Sequence, residues 1–141
     1  MSTAIKHLEE YCQSGGHRLT EPRRYVLEII NRARKPVGAY EILDHLAKKL
    51  DNPKPPTAYR AIEFLLEHGF IHRIESLNAY VACETDHQHD GSQFMICNQC
   101  GKVIETHLCS LPESFQKRIT AENFQPSHWN IEIHGTCNAC A

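Results

Sequence analysis

The sequence has no apolar run approaching the ~18 residues of a membrane-spanning helix. Its first ten residues, with Glu9 and Glu10 and no apolar core, do not read as a secretory signal. Seven glycines and seven prolines in 141 residues are too few for a collagen-like or low-complexity chain. An excess of charge of one sign is also lacking. The 15 Lys+Arg and 17 Asp+Glu leave a formal net of −2, which argues against a uniformly basic nucleic-acid binder. What remains is a soluble globular protein, expected in the cytoplasm. A reducing cytoplasm disfavours disulfides. The seven cysteines, accompanied by ten histidines, are therefore read as metal ligands or redox groups.

The near-neutral total hides an asymmetry. Residues 1–82 carry 12 Lys+Arg and 10 Asp+Glu, a net of +2, whereas residues 83–141 carry 3 and 7, a net of −4. Nearly all the sulfur lies in the second span. Two modules are expected, the first more tolerant of phosphate: a domain over 1–83, a hinge over 84–91 and a second domain over 92–141.

Ile5, Leu8 and Cys12 form one helical stripe that Gly15-Gly16 stops. Thr20 can cap a second helix with Pro22 in its first turn, burying Val26, Leu27, Ile29 and Ile30. A third helix is expected over Ala39 to Leu50, burying Ile42, Leu43 and Leu46. The run Asp51 to Pro56 reads as a turn too proline-rich to be helical. A fourth helix is expected from Thr57 to His68, with Ile62, Leu65 and Leu66 inward and Gly69 as its stop. Alternation then predicts strands over Phe70–Glu75 and Asn78–Cys83. Helices followed by a two-stranded ribbon form the winged-helix pattern, in which the start of the fourth helix enters the major groove. Arg60 can hold guanine O6 and N7 in bidentate fashion, and Thr57 and Tyr59 can hold phosphates or thymine methyls. The competing reading is a small helical domain with an exposed arginine.

In the second half, Cys97-Asn98-Gln99-Cys100 and Cys137-Asn138-Ala139-Cys140 are two Cys-x-x-Cys units. Four thiolates from such a pair suit a closed structural zinc site. A redox pair is the alternative, but redox units usually come singly in a thioredoxin-like pattern, which is absent here. The 36 intervening residues exceed a simple ribbon and predict a subdomain. Strands are expected over Gln93–Cys97, Lys102–Thr106 and Trp129–His134. A capping box, Ser110 to Glu113, is expected to open a helix reaching Thr120. Other possible ligands are His72, Cys83, His87, His89, Glu105, His107, His128 and His134. In His87-Gln88-His89 both rings share a face if the segment is extended. With Cys83 and His72 it offers a soft, nitrogen-rich set suited to zinc rather than manganese or magnesium, to which Glu105 can add oxygen. His7, His17, His45 and His68 read as solvated, and Cys12 and Cys109 as small apolar residues.

Over nearly its whole length the chain resembles the ferric uptake regulator family. The resemblance is carried by Arg18-Leu19-Thr20-Glu21-Pro22-Arg23, by Pro56-Thr57-Ala58-Tyr59-Arg60-Ala61, by His87-x-His89 and by the two Cys-x-x-Cys units. Lys54-Pro55-Pro56-Thr57, Asn78 to Cys83 and Ile131 to Cys137 bring it nearest to that family's zinc uptake regulator branch. The resemblance implies an α+β fold, a winged-helix DNA-binding domain with a small α/β zinc-binding dimerisation domain. It implies a homodimer that, when metal-loaded, binds inverted-repeat operators and represses metal-uptake genes, without enzymatic activity. It implies two or more zinc ions per monomer. Cys97, Cys100, Cys137 and Cys140 match the structural site; His72, Cys83, His89 and Glu105 match the regulatory site, with His87 and His128 as alternates. Tyr40 and Arg60 match purine-contacting residues, and Lys54, Thr57 and Tyr59 complete the expected DNA-binding set. The rival functions are an iron-responsive repressor of the same family and, from another class, a zinc-dependent hydrolase built on the His/Cys cluster.

Overall fold

The computed structural model describes residues 3–33, 35–51, 54–83, 91–106 and 111–141. They fall into two compact units, Met1–Asp86 and His87–Ala141. Helices and sheets are mixed in the α+β manner expected.

In the first unit, helix α1 (Thr3–Gly15) buries Ile5, Leu8 and Cys12 and ends at Gly16, whose φ of 71° is open to glycine without strain. Helix α2 (Glu21–Arg32) starts at Thr20, whose hydroxyl accepts from Arg23 N at 3.4 Å, with Pro22 in the first turn. Its stripe Val26, Leu27, Ile29 and Ile30 is buried as the periodicity requires. Helix α3 (Ala39–Ala47) buries Ile42 and Leu46, stops three residues earlier than expected, and leaves Leu43 half-buried.

Helix α4 (Pro55–Glu67) corrects the reading of the proline run. Pro55 and Pro56 lie inside the helix, in its first turn, where the missing N–H would have no intrahelical acceptor anyway. Ala58, Ala61, Ile62, Phe64 and Leu65 are buried, and Leu66, expected inward, is half-buried beside them. Gly69, at φ 79°, ends the helix.

Strands β1 (Ile71–Ile74) and β2 (Ala79–Ala82) form the antiparallel ribbon, with Ile71 opposite Ala82 and His72 opposite Val81. Asn78, at φ 49°, closes the turn, a conformation that asparagine tolerates better than most residues. The sequence did not suggest a further bridge. Val37 exchanges two backbone hydrogen bonds with Tyr80, at 3.0 and 2.8 Å, so the segment before α3 is tied to the ribbon.

The second unit holds β3 (Gly91–Cys97), β4 (Val103–Glu105), α5 (Glu113–Ala121) and β5 (Trp129–Gly135), with strand order β4-β3-β5. Strand β4 is antiparallel to β3, whereas β5 is parallel to it. A parallel neighbour needs a crossover, and that crossover carries α5. Gly91, which the sequence reading put in the hinge, is the first residue of β3. A Cβ there would lie 2.1 Å from the Trp129 ring and 2.5 Å from its carbonyl oxygen, so the strands meet this closely only because the residue is glycine.

The N-cap of α5 is Pro112, with no side-chain cap hydrogen bond, in place of the expected capping box. The extended ψ of 150° at Pro112 makes it the last non-helical residue; Ser110 lies outside the described residues. The hydrophobic core cluster belongs wholly to the first unit. In the second, only Gln93, Phe94, Ile96 and Cys97 are buried among the described residues, and α5 has none.

Candidate metal centre and nucleic-acid interface

The sheet of the second unit explains how cysteines 40 residues apart meet. Parallel pairing sets Cys97 beside Gly135, so the chain leaves β3 and β5 at the same end of the sheet. Each strand is followed by a tight turn. Gly101 N donates to Cys97 O at 3.0 Å, with Gly101 at φ 77°, and Cys140 N donates to Cys137 O at 3.0 Å. The four sulfurs of Cys97, Cys100, Cys137 and Cys140 all lie within 4.8 Å of one another.

Cys100 Sγ and Cys137 Sγ are 3.7 Å apart. A tetrahedral zinc with Zn–S near 2.3 Å requires about 3.8 Å between sulfurs. The donor set and its spacing fit that ion.

The thiols are tuned unevenly. Backbone N–H groups aimed at Cys97 Sγ, chiefly that of Cys100 and then that of Cys137 at 3.3 Å, lower its pKa to about 6. Cys137 is lowered by its hydrogen bonds with Cys140. Cys140, which shares its proton with Cys137 and Cys100, is pushed up to about 12. Four thiolates this close repel one another, so full ionisation needs a cation at their centre. A closed four-sulfur cluster suits a structural role.

In the first unit, His72 on β1 and Cys83 just after β2 lie on one face of the ribbon, because His72 faces Val81 and Cys83 is two residues on. Their ligand atoms are within 4.8 Å, and Cys83 N is fixed by Phe70 O at 2.9 Å. Glu105, half-buried, ends β4 in the second unit opposite Phe94. His128 is exposed, with Nδ1 3.3 Å from Ser127 Oγ. His87, His89, His107 and Cys109 lie outside the described residues.

The expected DNA-binding residues cluster at two helix starts. Lys54 is the exposed N-cap of α4, and Thr57 is half-buried in its first turn. Ala58 is buried and anchors that turn, whereas Tyr59, 48% exposed, and Arg60 face solvent. Tyr40 in the first turn of α3 is 83% exposed.

His68 corrects another reading. It is half-buried, not solvated, with Nδ1 2.7 Å from Tyr11 Oη, in an aromatic group with His17, Phe64 and Phe70. The Arg23 guanidinium lies 3.7 Å from the Phe64 ring centroid. Arg23 thus packs on α4, the helix that carries Arg60. Only the recurrence of rings near the ends of α1 and α4 signalled this in the sequence.

The ferric uptake regulator family model matches residues 14–134. The chain belongs to the ferric uptake regulator family. It is 38% identical over 137 residues to the zinc uptake regulation protein of Escherichia coli (strain K12), covering 96% of this chain and 80% of that protein. It is 26% identical over 140 residues to the peroxide operon regulator of Bacillus subtilis (strain 168), covering 97% and 93%. Among solved structures it is similar to a zinc uptake regulator complexed with zinc and DNA, at a TM-score of 0.90 and 36% identity over 99% of this chain and 96% of that one. It is also similar to holo XcZur, at a TM-score of 0.86 and 39% identity over 96% and 95%. Members of the ferric uptake regulator family are transcription regulators rather than enzymes, which sets the hydrolase reading aside.

Cys97→Ser removes one of the four donors that join the two turns. Loss of bound metal together with the fold of the second unit is expected, because metal binding and folding are coupled in such sites. Zinc content by atomic spectroscopy and Trp129 fluorescence read both effects. A folded variant with undiminished zinc would remove Cys97 from the site.

Proposed function

We propose that the chain is a zinc-responsive, DNA-binding transcriptional repressor of zinc-uptake genes, acting in the cytoplasm as a homodimer on inverted-repeat operators. The observation that carries this reading is a four-cysteine cluster in a chain 38% identical to a zinc uptake regulation protein. The exposed Tyr40, Tyr59 and Arg60 at two helix starts add the means of reading DNA. The domains in this proposal are a DNA-binding domain over 1–83, a hinge over 84–91 and a dimerisation domain over 92–141. No helix among the described residues is long and apolar enough to cross a membrane.

Two or more zinc ions per monomer are proposed. Cys97, Cys100, Cys137 and Cys140 would hold the structural ion. His72, Cys83, His89 and Glu105 would hold the regulatory one, with His87 or His128 as alternates. The soft Cys83 thiolate and imidazoles favour zinc over harder ions. When bound, zinc supplies a cation that fixes dispersed donors in one arrangement. The chain supplies the response: a ligand that binds one arrangement better shifts the population toward it, by as much as its differential affinity allows. In the DNA-competent arrangement, Arg60 reads guanine and Lys54, Thr57 and Tyr59 hold phosphate or thymine.

A second copy of the chain suits the second unit. Among the described residues, strand β5 has a single neighbour, β3, and α5 has no buried residue. Ile104, Met95 and Ile133 are cross-strand partners in one row, exposed by 39%, 39% and 58%. An exposed apolar row of this kind beside so small a core suits an interface with another protein surface.

Arg60→Ala is expected to cost about 1–3 kcal/mol of operator binding, with less loss on random duplex, where phosphate contacts dominate. Equal losses on both would make Arg60 a backbone contact. Cys83→Ser is expected to leave the protein folded while raising the free zinc needed for half-maximal operator binding. Superimposable curves against buffered zinc, at one salt concentration, would exclude Cys83 as a ligand; substituting ferrous iron in the same titration tests the iron-responsive alternative. Ile133→Asp is expected to give monomers in sedimentation and to abolish tight operator binding. A dimer of native affinity would place the subunit contact elsewhere.

A further inference from the structure

One cleft of the first unit has no part in the functions above. It has a volume of about 510 Å³ and lies between the C-terminal turn of α2, the segment leading to Val37, and α3. That volume falls within the usual range for small-molecule pockets. Its apolar surface comes from Ile29, Pro36 and Val37, of which Ile29 and Val37 are buried.

The charges around this apolar surface do not balance. Arg32, Lys35, Lys48 and Lys49 line the cleft together with two carboxylates, Glu28 and Glu41. Glu28 pairs with Lys49 at 3.5 Å, and the Lys49 ammonium also lies 5.1 Å from the Tyr25 ring centroid. That leaves Arg32, Lys35 and Lys48, all exposed, against Glu41 among the described lining residues.

Helix dipoles account for part of this excess. Arg32 is in the last turn of α2 and Lys48 is the C-cap of α3, positions where a cation offsets the negative helix end. Lys35 is in neither helix, and dipole compensation does not require the two helix ends to share a cleft with it.

We infer that this cleft binds a small organic dianion, a phosphate monoester carried on an apolar body. The phosphate would be held by Arg32, Lys35 and Lys48, and the body would lie on Ile29, Pro36 and Val37. Arginine offers a planar fork and lysine a mobile point charge, and both are suited to phosphate. An apolar floor beside a cationic rim selects an amphiphilic anion over a bare inorganic one. The site is independent of the reading as a repressor, since it involves neither the metal ligands nor the exposed helix starts.

The test uses the full-length, zinc-loaded chain and two probes, phenyl phosphate and inorganic phosphate, followed by calorimetry and by amide shifts in NMR. Phenyl phosphate is expected to bind with shifts centred on residues 32–37 and 45–49, and at least ten-fold more tightly than inorganic phosphate. The Lys35→Ala/Lys48→Ala variant should lose at least ten-fold in affinity, while Lys35→Arg/Lys48→Arg retains it and Lys102→Ala, in the second unit, is unchanged. Unaltered circular dichroism shows that a loss is not unfolding. Absence of binding to the native chain, or an equal loss in Lys102→Ala, overturns the proposal. It is likewise overturned if the double alanine variant binds phenyl phosphate normally. A further contrary result is a fall in the salt slope of operator binding by about 0.9 per removed cation with no phenyl phosphate binding, which would assign these residues to the DNA backbone.

Discussion

Four sulfurs crowded within 4.8 Å are the constraint on which the second unit depends. Four thiolates this close repel one another unless a cation lies among them, and Cys140, hydrogen-bonded to Cys137 and Cys100, is pushed up to about 12. The sheet that holds them has few other means of support. Among its described residues few are buried, and its helix buries none. A small unit of this kind draws on metal and on a partner subunit for what its core does not provide. The same parallel pairing of β3 and β5 that brings the cysteines together leaves the Met95 row exposed and β5 at the sheet edge. The proposed metal centre and the proposed subunit contact would both follow from one piece of topology.

The first unit is built differently. Its core is continuous from α1 through the ribbon, with Leu8, Val26, Leu27, Ile42, Leu46 and Leu65 fully buried. This rigidity suits a reading head, because Tyr40 and Arg60 are held on helices whose inner faces are packed. The ribbon carries His72 and Cys83, and Val37 ties it to the segment before α3. A change imposed at the ribbon therefore has a hydrogen-bonded route to the base of α3, the helix that begins beside Tyr40.

Much of this was legible in the sequence because it rests on local rules. The stripe of α2, its Thr20 start and the two Cys-x-x-Cys units follow from periodicity, capping and ligand spacing. Other features depend on relations between distant residues. Periodicity does not say that β5 runs parallel to β3, which is what joins Cys97 to Cys137. The proline run hides the start of α4, because Pro55 and Pro56 break a helix interior but not its first turn. His68 looked like a surface histidine because its partner, Tyr11, is 57 positions away. Ligand chemistry groups His72, Cys83, the His87-x-His89 pair and Glu105 as candidates, and the family resemblance selects His89 with His72, Cys83 and Glu105 as the regulatory set.

Two classes of metal site are proposed to serve two purposes, one holding the fold and one setting DNA affinity. Metal content per monomer, before and after mild chelation, with operator binding followed on the same samples, tests this most directly. At least two zinc ions per monomer are expected before chelation. After chelation, the tightly held ion should remain in a folded dimer that has lost operator binding, and added zinc should restore binding. Full operator affinity after loss of the weaker ion, or only one zinc ion throughout, would contradict it.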